Sequence, residues 1–360
     1  MPLTTVQLGM QGTPQFYGFK NRIINGGMVI SQRNGTSSIT PTVDPTYNVD
    51  RWYTRNTAAS KISVQQNAGS VTPPAGFTTY LGVTSLSAYS VGSTDFFAIE
   101  QRIEGFNAAD LNWGTANAQT VTFSFWVRSS LTGVFGGCLR NGASNYNYPF
   151  SYSISTANTW EYKTVTIVGA TAGSWDTSNG IGIICGFNIG IGSSYAGTAN
   201  TWNSGSIYGP TGATSIVGTN GATFYITGVQ LEVGVTATSF DYRPYGTELA
   251  LAQRYCVVYG GSSVFEPFGY GFATSTTAVA AILALPVPMR IVPSFSASGS
   301  AQISDGGTGF TIFVLSLSSG AAGTQQVTLN ATSSGLTQFR PYRIEATNNT
   351  TVRLIFSAEL

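Results

Sequence analysis

The 360-residue chain contains no histidine. No side chain with an ordinary pKa therefore titrates between about pH 5 and 8, which predicts a stability plateau across that window. The same absence excludes Ser-His-Asp and Cys-His catalysis. Three cysteines, Cys138, Cys185 and Cys256, are far apart and form no Cys-x-x-Cys pair. They read as buried free thiols rather than zinc ligands. Charge is equally scarce. Asp, Glu, Lys and Arg make up 9% of the chain, against roughly 25% in ordinary soluble proteins. The net charge is +1, and the basic residues are scattered without a run. That argues against a nucleic-acid partner, which needs a clustered basic face. Long apolar runs are missing too. The stretch from Ala278 to Leu285 is too short to span a bilayer and ends at Pro286, so it reads as a buried strand and not a membrane insertion. Met1 to Gln7 lacks the basic and apolar regions of a secretory signal. The expectation is a soluble product made in the cytoplasm.

What is present is glycine, 43 residues of it, with abundant Ser, Thr and Asn. Strong helices need Glu, Lys, Arg, Ala and Leu on their outer faces, and this composition suits strands and turns. Alternation of period 2 recurs. In Val121-Thr122-Phe123-Ser124-Phe125-Trp126-Val127 the odd positions are apolar and face inward. Lys163, Val165 and Ile167 share a face of another strand, with Lys163 at its edge. Gly228 marks a bulge between Phe224–Ile226 and Val229–Val233. Asn-Gly pairs at Asn25, Asn34, Asn141, Asn179 and Asn220 predict type I′ hairpin turns. Short strands with turn chemistry, and no helical crossovers, indicate an all-β antiparallel sandwich or barrel. One short linking helix is expected over 246–255, with Thr247 as its N-cap and Glu248 in its first turn. Residues 256–360 read as a second, smaller β-sandwich. Its strands are expected near 256–259, 279–285, 310–317, 326–329 and 352–357.

Catalytic chemistry is hard to find. Glu100 and Glu104 are the closest acidic pair. In a strand they share a face but lie roughly 13 Å apart, beyond the about 5 to 9 Å of a glycosidase pair. They read as partners of Arg102 or Arg51. Gly190-Ile191-Gly192 reads as turn chemistry, not a nucleotide fingerprint. The chain is therefore expected not to be an enzyme. Its aromatics are the better binding material. Trp160, Trp175, Tyr195, Trp202 and Tyr208 lie in or beside segments rich in Gly, Ser, Thr and Asn. An aromatic face meets sugar C–H groups while neighbouring amides and hydroxyls bond the sugar oxygens. These five are the candidate saccharide-binding residues. Trp52 and Trp126 read as structural.

Several short segments carry a resemblance. They are Asn21-Arg22-Ile23-Ile24-Asn25-Gly26-Gly27-Met28, Ser31-Gln32-Arg33-Asn34, Asp50-Arg51-Trp52-Tyr53 and Gln101-Arg102-Ile103-Glu104-Gly105, followed by Phe123 to Arg128 and Thr227-Gly228-Val229-Gln230-Leu231-Glu232. In order and spacing this chain resembles tailed-phage tail fibres and other virion appendages that carry a jelly roll related to carbohydrate-binding modules. The resemblance covers roughly residues 21–255. It implies a jelly-roll domain over 21–245, a virion-attachment segment over 1–20, and location in the virion. It also implies a structural role in host-surface attachment, as a homotrimer contacting other tail or capsid proteins and a host-surface glycan. No cofactor is expected, save a structural calcium, for which Asp241 is the best single candidate. Two alternatives remain open at this point. One is a head fibre or capsid decoration protein; the other is a lone lectin-like carbohydrate-binding module.

Overall fold

The computed structural model describes residues 20–360. The expected attachment segment 1–20, apart from Lys20, lies outside the described residues. Among the described residues the fold is all-β with one α-helix and a few single-turn 3-10 segments. Residues 46–233 build a jelly-roll sandwich from two sheets. One has seven strands, in the order Thr46–Tyr47, Trp52–Asn56, Phe96–Glu104, Ile181–Ile191, Gly133–Arg140, Tyr146–Ile154, Asn203–Ser204. The other has five, in the order Ile62–Gln66, Leu81–Ser85, Thr223–Val233, Val121–Ser129, Glu161–Ile167. The chain crosses repeatedly between the sheets, and neighbours within each sheet run antiparallel.

Period 2 explains the core. Val121, Phe123, Phe125 and Val127 are fully buried. They pack against Phe135, Phe150 and Phe187 from the facing sheet. Lys163 sits beside Val165 and Ile167 and pairs with Glu161 at 2.6 Å. Gly228 has a φ of +59° within a single long strand, where the register against Val121–Ser129 shifts. The three cysteines are buried free thiols.

The Asn-Gly pairs do not form type I′ turns, which need positive φ at both residues. Only Asn25, Gly35 and Gly221 among them adopt it. Asn25, Asn34 and Asn141 instead bridge loops through their side chains. Asn141 accepts from the backbone of Asn145 and Tyr146 and donates to Ser174.

A second sandwich follows. Its sheets are Cys256–Tyr259, Arg353–Ser357, Ser294–Ser298 and, facing them, Gly309–Thr311, Ala301–Ser304, Pro341–Ala346, Pro267–Ser275, Ala278–Ala284, Gln326–Thr332, Val314–Ala322. It has its own core, including Val279, Leu283, Ile303, Leu329, Ile344 and Phe356. The strand expected over 310–317 is broken at Ile312 and Phe313. Strands over 267–275, 294–298, 301–304 and 341–346 were not anticipated, because Gly, Pro and Ser interrupt their alternation. The helix runs Tyr245–Gln253 and begins after Pro244, earlier than expected. Thr247 is inside it, not its cap. The Glu248 carboxylate is taken by the Asn25 backbone N–H and by Arg243 at 3.2 Å. Among the described residues, no helix is long and apolar enough to cross a membrane.

The segments that carry the resemblance meet in one place. Asn21 binds the backbone of Val229 and Leu231, and Gln101 pairs with both backbone groups of Ile24. Asn25 donates to Asp50 and accepts, through its carbonyl, the indole N–H of Trp52. A Cβ on Gly26 would collide with the Val229 carbonyl oxygen, so only glycine fits there. Around this knot lies a buried ionic junction with the second sandwich. Glu104 accepts from Arg254 at 2.6 and 2.9 Å and from the Tyr255 hydroxyl. Arg51 lies 3.6 Å from the Tyr255 ring centre and pairs with Glu359, which also takes Arg33 at 3.0 Å. Gln32 donates to the Cys256 carbonyl at 2.8 Å. Arg51 holds this position with a φ of +72°, a strained backbone that persists only where neighbours over-determine it.

Removing Glu104 strands Arg254 and the Tyr255 hydroxyl. Glu104→Ala should lower stability by about 2–4 kcal/mol, read as a lower urea midpoint. The pH dependence has a defined sign. Burial pushes the Glu104 carboxyl up, but hydrogen bonds from Arg254 and Tyr255 and the Arg254 charge outweigh it, so its pKa lies below the ordinary value. Its contribution is present above the unfolded pKa of about 4.3 and is lost as pH falls through the lower folded value. The acid limb of the unfolding profile should therefore be shallower in Glu104→Gln. Asp50 runs the other way, because burial raises its pKa. Its contribution declines as pH rises through the raised value.

Candidate functional site

The five candidate aromatics occupy three separate places. Trp160 lies on the five-stranded sheet. It packs edge-on against Tyr80 at 5.5 Å and donates its indole N–H to the Thr72 carbonyl at 2.9 Å. Trp175 and Trp202 join Trp113 and Tyr146 in a cluster at one end of the seven-stranded sheet, with Trp202 stacked on Tyr146 at 5.3 Å and 5°. Each indole N–H of that cluster is committed to a backbone carbonyl: Trp113 to Gln119, Trp175 to Ala172, Trp202 to Val168. This is packing that closes the sandwich and pins its loops.

Tyr195 and Tyr208 are different. They stack on each other at 4.8 Å and 16°. Both are half-buried, above the outer face of the seven-stranded sheet. Paired short segments hold them there, Ala196–Gly197 running parallel to Gly209–Pro210. Tyr208 packs on Phe96 at 4.7 Å. Arg140 lies 4.4 Å from the Tyr208 ring centre.

The floor beneath is polar and buried. Phe96, Ala98 and Glu100 alternate with core residues Phe97 and Ile99, so they face outward. Glu100 takes Arg140 at 2.7 Å and the Tyr53 hydroxyl at 2.9 Å. Gly186 separates the two strands, and a Cβ there would meet the Glu100 side chain. Burial raises the Tyr53 pKa, and the Glu100 charge adds to it. Burial works against the Arg140 charge, and Glu100 more than restores it. Arg140 Nε and Nη1 and Asn188 Nδ2 are buried without a hydrogen-bond partner among the described residues. Orphaned buried donors cost free energy unless an acceptor reaches them. At the rim, Arg55 pairs with Asp44 at 2.8 Å and lies 5.7 Å from the Phe96 ring centre.

Arg140, Phe96, Arg55 and Tyr53 were missed from sequence. Outward alternation on the 96–104 strand was the available signal, but their convergence needs strands far apart in the chain. Glu100 and Glu104 are structural as expected, with other partners: Arg140 and Tyr53 for one, Arg254 and Tyr255 for the other, not Arg102 or Arg51. Asp241, the calcium candidate, is the sole carboxylate whose surroundings bear on that expectation. Its carboxylate accepts the Asn21 N–H at 3.2 Å and lies 3.8 Å from the Arg243 guanidinium.

No protein-family model and no curated protein matches the chain. Solved structures with a similar layout exist at low identity. The enzymatically active domain of tailspike protein 4 of Bacteriophage CBA120 is 13% identical with a TM-score of 0.33, over 60% of this chain and 22% of that one. A family 11 carbohydrate-binding module from Clostridium thermocellum, in complex with a beta-1,3-1,4-mixed-linked tetrasaccharide, is 13% identical with a TM-score of 0.27, over 55% of this chain and 96% of that one. The N-terminal cellulose-binding domain of Cellulomonas fimi beta-1,4-glucanase C is 13% identical with a TM-score of 0.24, over 55% of this chain and all of that one. The chain thus spans less than a quarter of the tailspike, and what it binds has to be read from its own side chains.

If the indole cluster is packing and the tyrosine pair is a binding surface, two variants should separate. Trp202→Ala should lower stability by about 3 kcal/mol. Tyr208→Ala, at a half-exposed position, should cost less than half of that in the same denaturation experiment.

Proposed function

We propose that this chain is a non-catalytic saccharide-binding structural protein of a tailed-phage virion, a tail fibre or fibre-like appendage. The carrying observation is the stacked Tyr195–Tyr208 pair, half-exposed over a floor with unpartnered Arg140 and Asn188 donors. Flat rings suit the C–H face of a sugar. The nearest acidic pair is engaged in ion pairs, which supports binding without hydrolysis. The virion role is supported by the segments that resemble phage fibres. Self-association is supported by the second sandwich, whose seven-stranded sheet exposes Tyr270, Phe272 and Ile282 at 63%, 51% and 58%. Apolar residues grouped in this way mark interaction surfaces. A homotrimer would cover them without burying unpaired charge.

Light scattering on the full-length chain together with a glycan array tests both halves. The expected result is a particle near three times 37.9 kDa that binds a glycan, with binding reduced about tenfold or more in Tyr208→Ala. A monomer that binds sugar would identify a lone binding module. A trimer that binds no glycan would leave an assembly role alone.

A further inference from the structure

A pocket lies away from the tyrosine pair, where the end of the jelly roll passes its beginning. It has a volume of about 190 Å³ and is lined by Phe77, Phe240, Tyr242 and Tyr245, with Asn21 and Asp241 among its polar groups. Three of the rings support one another. Phe77–Phe240 is an edge contact at 5.1 Å, Phe240–Tyr242 another at 4.9 Å, and Phe77–Tyr242 is tilted at 5.5 Å. Two glycines make room for them. Gly76, at φ +89°, would set a Cβ 2.5 Å from the Tyr242 hydroxyl, and Gly228, at φ +59°, would set one 2.5 Å from the Phe77 ring. The rings are nonetheless not sequestered. Tyr242 is 59% exposed and Tyr245 64%, which the packing of the domain does not require.

The polar groups narrow the occupant. Asp241 uses Oδ2 for the Asn21 N–H, and Oδ1 accepts no hydrogen bond among the described residues. Arg243 lies between Asp241 at 3.8 Å and Glu248 at 3.2 Å. Two carboxylates and one guanidinium leave the wall slightly negative, which disfavours an anionic ligand. The volume suits one ring-sized group rather than an extended chain. Ring faces with an adjoining hydrogen-bond acceptor match the C–H face and hydroxyls of a sugar.

We propose that this pocket is a second binding site, taking a single neutral pyranose unit, so that each chain presents two separable saccharide sites. The site stands or falls apart from the Tyr195–Tyr208 surface. Saturation-transfer NMR tests it on the full-length chain, with the methyl glycosides of glucose, galactose, mannose and N-acetylglucosamine as probes and tetramethylammonium as a cationic control. Transfer to at least one glycoside should persist in Tyr208→Ala. It should weaken about tenfold in Tyr242→Ala and fall in Tyr245→Ala, both exposed positions whose folding is checked by circular dichroism. The proposal is overturned if Tyr208→Ala abolishes all glycoside transfer, if neither pocket variant changes it, or if only tetramethylammonium binds. If Tyr208→Ala leaves every glycoside signal intact while Tyr242→Ala removes them, the pocket survives and the tyrosine-pair site does not.

Discussion

The ionic junction around Glu104 and Glu359 is the constraint on which the rest of the molecule leans. A chain with 9% charged residues places several of them, nearly out of water, at this seam. Arg51 is 1% exposed and Glu104 1%. Taking such ions from water is costly unless each is paired and hydrogen-bonded, so the seam tolerates little rearrangement. It links the beginning of the jelly roll, its 96–104 strand, the helix and the last strand of the second sandwich. The gain is a defined relative position for two sandwiches whose cores do not merge.

This also gives a physical meaning to the short segments that resemble phage fibres. Most of their side chains are spent on internal hydrogen bonds and ion pairs. Asn21 and Gly26 join the first described residues to the closing strand, Asn25 and Gln101 tie them to Trp52 and to the 96–104 strand, and Arg33, Arg51 and Glu104 carry the second sandwich. Each needs its own donor geometry. A guanidinium reaching two carboxylate oxygens, or a glycine against a carbonyl, has no isosteric substitute. The segments are distinctive because the scaffold depends on them.

Within the jelly roll, the aromatics divide by what their polar atoms do. The indole N–H groups of Trp113, Trp175 and Trp202 are consumed by backbone carbonyls, so those rings close the sandwich. Tyr195 and Tyr208 sit over a charged floor whose donors are not all consumed. Both kinds stand in the same Gly-, Ser- and Thr-rich stretch, and local composition does not tell them apart.

The sequence by itself determined the all-β class, the inward faces of the regular strands, the bulge at Gly228, the unpaired cysteines and the absence of histidine chemistry. These follow from composition and from a period of 2 that is local to each strand. Tertiary structure decided the rest. Asn25, Asn34 and Asn141 are loop bridges because other backbone groups claim their side chains. Glu100 meets Arg140 and Glu104 meets Arg254, across 40 and 150 residues, rather than their neighbours in sequence. The five candidate aromatics fall in three separate places. A strand dictates which side a residue faces, but which strand lies beside it depends on sheet order, and sheet order is set by packing over the whole chain.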